Sequence, residues 1–210
     1  MKKRVEIPLG RMAAVLTTVL LLSGCGSSAS AKCSTQTGLS VEKDGQVVFY
    51  IVDSFDKGYY DLDELRDMAQ EEVSAYNSVN GSGGSGTVTL ENVARMEGNE
   101  QQVRVVYRFS NSAAYSAFQK ETLYYETVDQ AIRLRHIFSG AVLFNGGEMI
   151  TLDEGNQKQL EGRHILVTDA ATKINLPYEV AYYSEGVQLL EDGSVDTSQC
   201  EEPAVLLLKK

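Results

Sequence analysis

The sequence predicts an α+β fold with a mainly antiparallel sheet, one well-defined amphipathic helix, one or two shorter helices and a strand-rich C-terminal part. Three observations carry this prediction. Apolar residues recur at helical spacing in one long segment, residues 61–76. Short apolar segments bounded by Asp-Gly and Asn-Gly turns fill much of the remainder. Strands and helices cluster along the chain instead of alternating strictly, which disfavours a parallel α/β sheet.

Turn and capping signals place the elements in the first part of the domain. Asp44-Gly45 supplies the positive φ that a tight hairpin turn needs. Asp61 is the predicted N-cap of the long helix, and Glu64 follows three residues later. The predicted order is a hairpin of residues 39–43 and 46–55, the helix 61–76, a glycine-rich loop 81–86, a hairpin of residues 87–96 and 101–109, and a short helix capped by Ser110 or Asn111.

Strands dominate the later part of the chain. We expect a strand at residues 123–125 and a helical turn at 128–134, followed by strands at 141–144, 148–152, 164–168, 173–176, 178–184, 187–190 and 204–208. Residues 39–210 are interpreted as a single α+β domain. A β-rich subdomain that begins at about residue 141 is the alternative.

The N-terminus has the pattern of an export signal. Four basic residues precede an apolar run of 11 residues, Met12 to Leu22, and two small residues then precede Cys25. A run of this length is too short to span a bilayer, which takes about 20 residues. Leu22-Ser23-Gly24-Cys25 resembles the lipobox of bacterial lipoproteins. The resemblance implies that residues 1–24 are a cleaved signal peptide and that Cys25 becomes an acylated N-terminus, carrying fatty acids such as palmitate.

The length of the apolar run disfavours an uncleaved membrane anchor. Ordinary cleavage near Ala29 or Ala31 is the other alternative to lipidation. Residues 25–38 are predicted to be the lipidated Cys25 and a flexible tether, because residues 26–37 contain four serines and no large apolar side chain. Two or three acyl chains hold a protein on a membrane stably. The membrane, reached through the lipid at Cys25, is therefore the first expected partner.

The net charge of the mature chain limits the classes of partner that it is expected to bind. The leader carries four of the 19 basic residues and one of the 29 acidic ones, so the mature chain has a formal charge of −13. Nucleic acid is excluded as an expected partner, since binding a polyanion takes clustered Lys and Arg. An envelope protein or a glycan remains as an unidentified partner.

The remaining cysteines suggest a disulfide. With Cys25 assigned to lipid, Cys33 and Cys200 form an even pair in an exported protein. A bridge would close a loop of about 170 residues, for which chain entropy gives at most about 5 kcal/mol. The open alternative is that both thiols stay reduced. No cofactor or metal is predicted, because no zinc-ligand spacing occurs in the sequence.

Tyrosine doublets are the candidate ligand contacts. Strand alternation would turn one member of each doublet outward, although tyrosine also favours strands for structural reasons. His136 and His164 are the only histidines, and we interpret both as surface or edge residues. The doublets are Tyr59-Tyr60, Tyr124-Tyr125 and Tyr182-Tyr183.

The whole layout resembles small lipoproteins of unassigned function from gut Firmicutes, which share a lipobox, a serine spacer, an Asp-Gly hairpin, the helix beginning at Tyr59-Tyr60-Asp61 and a strand-rich tail. That resemblance implies the outer face of the cell membrane, or the outer membrane if the organism has two. We expect a non-catalytic binding or envelope-assembly domain. A small hydrolase that uses acidic residues or a histidine is the first alternative, and a solute-binding receptor is the second.

Overall fold

A computed structural model describes residues 35–81, 86–133, 140–152 and 160–209. The lipobox with Cys25, the tether cysteine Cys33, His136 and most of the glycine-rich loop lie outside the described residues. The expectations about them stay predictions. Within the ranges given, no helix is long and apolar enough to cross a membrane.

The long helix is confirmed. Helix α1 spans Leu62–Asn80, and the Asp61 side chain caps it by accepting hydrogen bonds from Asp63 N (2.9 Å) and Glu64 N (3.1 Å). It is one turn longer than the apolar pattern predicts. The reason is Asn77, whose side chain donates to Val88 O (2.8 Å) and accepts from Val88 N (2.9 Å). Hydrogen bonds to the backbone of Val88, in the strand that follows the helix, therefore stabilise the last helical turn, which has no apolar face of its own.

Two shorter helices complete the helical part of the described chain. Helix α2 spans Ser112–Gln119, and its N-cap is Asn111, whose side chain accepts from Ala114 N at 2.8 Å. Helix α3 spans Val128–Arg133. Both agree with the predicted fold class.

The strands form two sheets instead of one. The strands are β1 Gly38–Val41, β2 Val47–Ser54, β3 Val88–Met96, β4 Asn99–Phe109, β5 Leu123–Thr127, β6 Val142–Asn145, β7 Glu148–Thr151, β8 His164–Thr168, β9 Lys173–Asn175, β10 Val180–Tyr183, β11 Gln188–Leu189, β12 Val195–Asp196 and β13 Ala204–Leu208. Sheet A has the order β11-β12-β9-β1-β2-β4-β3 and sheet B the order β5-β8-β13-β10-β6-β7. Neighbouring strands in these orders are antiparallel except β1 and β9, which are parallel.

Sheet A pairs the first described strand with a strand from the later part of the chain. Strand β1 is the first described strand, yet it lies between β2 and β9 near the middle of the sheet. The strands that follow residue 141 are distributed between both sheets. The tether therefore leads directly into an interior strand, which a fraying N-terminus could not vacate without opening the sheet.

One large core lies between sheet A, helices α1 and α2, and one face of sheet B. A smaller core lies on the other face of sheet B, under α3. Strands β8 and β13 of sheet B are thus buried on both faces, which explains their continuous apolar sequence, whereas β6 and β7 at the sheet edge are largely exposed. Representative members of the large core are Leu39, Val73, Phe109, Tyr115, Leu166 and Leu206, and of the small core Ala131, Leu143, Ile165 and Leu207.

Candidate functional site

The segment Phe55–Tyr60, called here the aromatic loop, connects β2 to α1 and presents an exposed tyrosine on a packed base. Phe55 is buried, and the ring of Tyr60 stacks on it with centroids 5.0 Å apart. Tyr59 meets Tyr60 edge to face at 4.9 Å. Both spacings lie in the range that favours aromatic pairs. Tyr59 itself is 67% exposed, so its ring faces solvent while its neighbour fixes its position.

Backbone and side-chain contacts from the second hairpin hold the base of the aromatic loop. Phe55 N donates to Gln101 O at 2.6 Å. The Arg95 guanidinium lies 4.9 Å from the centre of the Phe55 ring and donates to Phe55 O at 3.2 Å. Arg95 also donates to Glu100 O. The loop is consequently tied to β3 and β4 as well as to the strand and helix that it connects.

Turn and cap geometry set the tip of the aromatic loop. Tyr60 N donates to Lys57 O at 3.0 Å, which closes a turn, and Asp61 then caps α1. Desolvation, followed by the neighbouring Tyr59, raises the pKa of Tyr60 above its ordinary value. The Tyr60 phenol is therefore neutral at physiological pH, and the rings of Tyr59 and Tyr60 both offer apolar faces with polar tips.

The aromatic loop lies at the end of sheet A where the tether enters. Strands β1 and β2 are antiparallel, and Thr37, just before β1, is bound to Val52 near the end of β2 through Thr37 Oγ1 (2.9 Å to Val52 N and 3.1 Å to Val52 O). The loop begins three residues after Val52. A ligand on Tyr59 would therefore meet the tether-side end of the domain.

The second doublet is divided between the two cores. Tyr125 is 6% exposed and belongs to the large core, whereas Tyr124 packs on the small core. The alternation expected for a strand is present. Both faces of sheet B are covered at β5, however, so neither ring offers a bare surface.

The third doublet is also part of the packing. Tyr182 packs on the small core and donates to Glu148 at 3.1 Å, while Tyr183 packs against the large core. Strands β8 and β13 separate β5 from β10 in sheet B. The structure therefore does not bring the second and third doublets into one tyrosine surface, and Tyr59-Tyr60 is the doublet with an exposed ring.

His164 is held in an aromatic stack. It is the first residue of β8, an interior strand of sheet B, and is half-buried instead of lying on the surface. Its ring is stacked between Tyr125 (5.3 Å) and Tyr178 (4.8 Å), and the Lys43 ammonium lies 5.6 Å from the centre of the Tyr178 ring. Burial lowers the pKa of His164, although Glu126 opposes that change. Packing between the two tyrosine rings therefore accounts for His164 without a catalytic or metal-binding role.

Two clefts stand out in the described residues, and both are small. One of about 210 Å³ is lined by Gln46, Arg108 and Ser110, and one of about 100 Å³ is lined by Thr168, Asp169 and Cys200. Ligand pockets commonly measure about 300–1,000 Å³. Neither cleft contains a histidine. Cys200 is half-buried at the edge of the large core, and burial, followed by Asp196, raises the pKa of its thiol.

Among the residues that the structure describes, no three His, Cys, Asp or Glu side chains converge as a metal site.

The sequence did not predict the contacts from Arg95 that hold the base of the aromatic loop. Arg95 is 40 residues from Phe55 in the chain, and no local pattern links a strand arginine to a loop ring. The Lys43, Tyr178, His164 and Tyr125 stack was missed for the same reason.

Comparisons of the sequence and the structure with protein families, curated proteins and solved structures found no match.

Proposed function

We propose that this chain is a lipid-anchored extracytoplasmic lipoprotein, held by Cys25 on the outer face of the cell membrane, or on the outer membrane of a two-membrane cell. Its domain is a non-catalytic binding module. The aromatic loop is its contact surface, and its partner is a protein of the envelope. The exposed Tyr59 ring on the Tyr60 and Phe55 base is the observation that carries the proposal.

The packing of the aromatic loop favours a protein contact. Tyrosine is enriched in interfaces because it supplies a large amphipathic contact with few rotatable bonds. Tyr59 is already oriented by Tyr60, so binding orders little that is mobile. The loop also lies on the tether side of sheet A. Cys25 and Thr37 are 12 positions apart in the sequence, a span of at most about 40 Å when extended. A partner at the membrane is within that distance.

The same geometry supports a binding module over a hydrolase or a solute receptor. The aromatic loop lines neither of the two clefts and carries no histidine, while His164 is engaged by two tyrosine rings. The two clefts are smaller than ordinary substrate pockets. An enzyme would need a pocket with convergent acids or a histidine.

Site-specific photo-cross-linking tests the contact surface. The photoreactive residue p-benzoylphenylalanine replaces Tyr59 in the full-length protein in its own cells, and Val79 is the matched control position. Val79 is 75% exposed and lies near the far end of α1. We expect a discrete protein adduct from position 59 and none from position 79. Equal adducts at both positions, no adduct at either, or capture on cell-wall glycan only would overturn the proposal.

Anchoring has a separate test. Cys25→Ala should release the protein from membranes and abolish incorporation of labelled palmitate. Cys33→Ser is the matched control, because it removes a nearby cysteine and leaves the lipobox intact. Membrane retention of Cys25→Ala would contradict lipidation and leave the cross-linking result to be judged on its own.

A further inference from the structure

The chain contains two Asn-Gly pairs, and the structure places them in different surroundings. Asn80-Gly81 lies at the end of α1, and Asn145-Gly146 lies in the turn between β6 and β7. In an Asn-Gly pair the glycine nitrogen can attack the side-chain carbonyl carbon of the asparagine, since glycine has no side chain to hinder the approach. This ring closure requires that the glycine nitrogen and the asparagine side chain are both free to rotate.

The turn at Asn145-Gly146 lies in open solvent. Every residue from Phe144 to Met149 is exposed. Gly146 and Gly147 have φ of 53° and 124°, and a Cβ at either position would meet no atom within 4 Å. Opening this turn separates no buried side chains, so local fluctuation provides the rotation that ring closure needs.

The other pair is held in the helix. The Asn80 side-chain amide donates to Tyr76 O at 3.1 Å. Gly81 N donates to Asn77 O at 2.9 Å, and Gly81 has helical dihedral angles, φ −61° and ψ −29°. Both reacting groups are thus engaged in hydrogen bonds, and the backbone must leave the helical conformation before the glycine nitrogen can reach the amide carbon. The fold therefore separates two pairs that have the same sequence.

We propose that Asn145 deamidates spontaneously in the folded protein and is a site of isoaspartate formation. Gly146 N loses its proton to water and attacks Asn145 Cγ, a new N–C bond forms, and the side-chain amide nitrogen leaves as ammonia. Water then adds to one of the two carbonyl carbons of the resulting succinimide and breaks the bond of that carbon to Gly146 N. Addition at Cγ gives aspartate, and addition at the main-chain carbonyl carbon gives isoaspartate. No oxidant or reductant takes part.

The new carboxylate changes the hairpin at the edge of sheet B. Asn145 is the direct partner of Glu148 across β6 and β7, so an aspartate at position 145 faces a second carboxylate. Opposed like charges weaken a strand pair. Isoaspartate also adds one main-chain carbon to the turn, which disturbs the register of the two strands. The hairpin therefore loosens as the protein ages, independently of the lipid at Cys25 and of the partner of Tyr59.

Ageing of the membrane-extracted protein in mildly alkaline heavy-oxygen water tests the site. Trypsin releases residues 136–158 and 67–95, which carry the two Asn-Gly pairs, and tandem mass spectrometry locates each change. We expect Asn145 to lose ammonia at least about tenfold faster than Asn80, because Asn80 must first lose two hydrogen bonds. The product should contain heavy oxygen and should be a mixture of aspartate and isoaspartate, which labelling by isoaspartyl methyltransferase distinguishes. Equal rates at the two positions, or aspartate without isoaspartate, would overturn the proposal.

Two comparisons separate the effect of the fold from that of the sequence. In urea both pairs lose their structure, so Asn80 should then react at about the rate of Asn145. A slow reaction of Asn80 in urea would contradict protection by the helix. Asn145→Gln keeps an amide in the turn but requires a less favourable six-membered ring, so position 145 should stay unchanged in this variant. Deamidation there at the wild-type rate would show direct hydrolysis without attack by Gly146 N and would contradict the proposed route.

Discussion

Two tyrosine doublets with the same sequence end in opposite environments. Tyr59-Tyr60 lies in a loop, where one ring stacks on Phe55 and the other is exposed. Tyr124-Tyr125 lies in β5, where one ring enters each of the two cores of sheet B. The difference arises because the strand β5 is covered on both faces by packed side chains, whereas the aromatic loop is not. Strand alternation gives a solvent-facing tyrosine only where one face of the sheet is bare.

This contrast separates a structural tyrosine from a candidate contact. Tyr125 packs with His164 and Tyr178, so its area stabilises the fold. Tyr59 is mostly exposed, so its area contributes little to folding and remains available to a partner. Three predictions test the contrast.

Truncating one ring from each doublet gives the largest expected difference. Tyr125→Ala removes a buried aromatic side chain from the large core and should lower the free energy of unfolding by about 3–5 kcal/mol. Tyr59→Ala should change it by less than about 0.5 kcal/mol. Urea unfolding monitored by circular dichroism measures both. Similar losses for the two variants would show that the aromatic loop is part of the cooperative core and would remove the contrast.

Removing single hydroxyl groups sharpens the comparison. The Tyr125 hydroxyl is buried without a hydrogen-bond partner among the described residues, and burial raises its pKa. Tyr125→Phe should therefore be neutral or stabilise by about 1 kcal/mol. Tyr115 is the matched control, because its buried hydroxyl donates to Glu121 at 2.7 Å. Tyr115→Phe should cost about 1–2 kcal/mol.

The same urea titrations decide this second prediction. A marked loss for Tyr125→Phe would show that its hydroxyl has a partner after all, and no loss for Tyr115→Phe would show that its bond to Glu121 is weak in solution. Either result would alter the account of how the large core accommodates the hydroxyl groups of Tyr115 and Tyr125.

Local signals in the sequence predicted much of the fold. The N-cap at Asp61 and the hairpin turn at Asp44-Gly45 are confirmed because each depends on residues within a few positions of one another. The partition into two sheets was not predicted. It depends on the parallel pairing of β1 with β9, between Leu39 and Ile174, and such distant pairing leaves no local pattern.

The candidate site was predictable in part. Tyr59-Tyr60 was singled out as one of three equivalent doublets, and composition could not rank them. The ranking came from Phe55 and Arg95, which orient the loop, and from the second core that covers Tyr124. Burial on both faces of a sheet depends on tertiary packing, so the exposure of any one ring could not be inferred from alternation alone.

The smallest expected effect is a pH dependence that belongs to the Tyr125 region and not to the aromatic loop. Burial lowers the pKa of His164 in the folded state, against the opposing effect of Glu126, while an unfolded histidine titrates near about 6.5. Between those two values the unfolded chain binds more protons, so stability is complete above about pH 6.5 and declines as the pH falls below it. Tyr125 and Tyr178 stack on the ring, and Lys43 over Tyr178 adds a positive charge nearby.

The test is the free energy of unfolding measured from pH 7.5 to 5.5. It should fall with pH in the wild type and in His136→Gln and stay nearly level in His164→Gln. If the pH dependence of the unfolding free energy persists in His164→Gln and disappears in His136→Gln, the titrating group is His136, and a neutral His164 in the stack is contradicted.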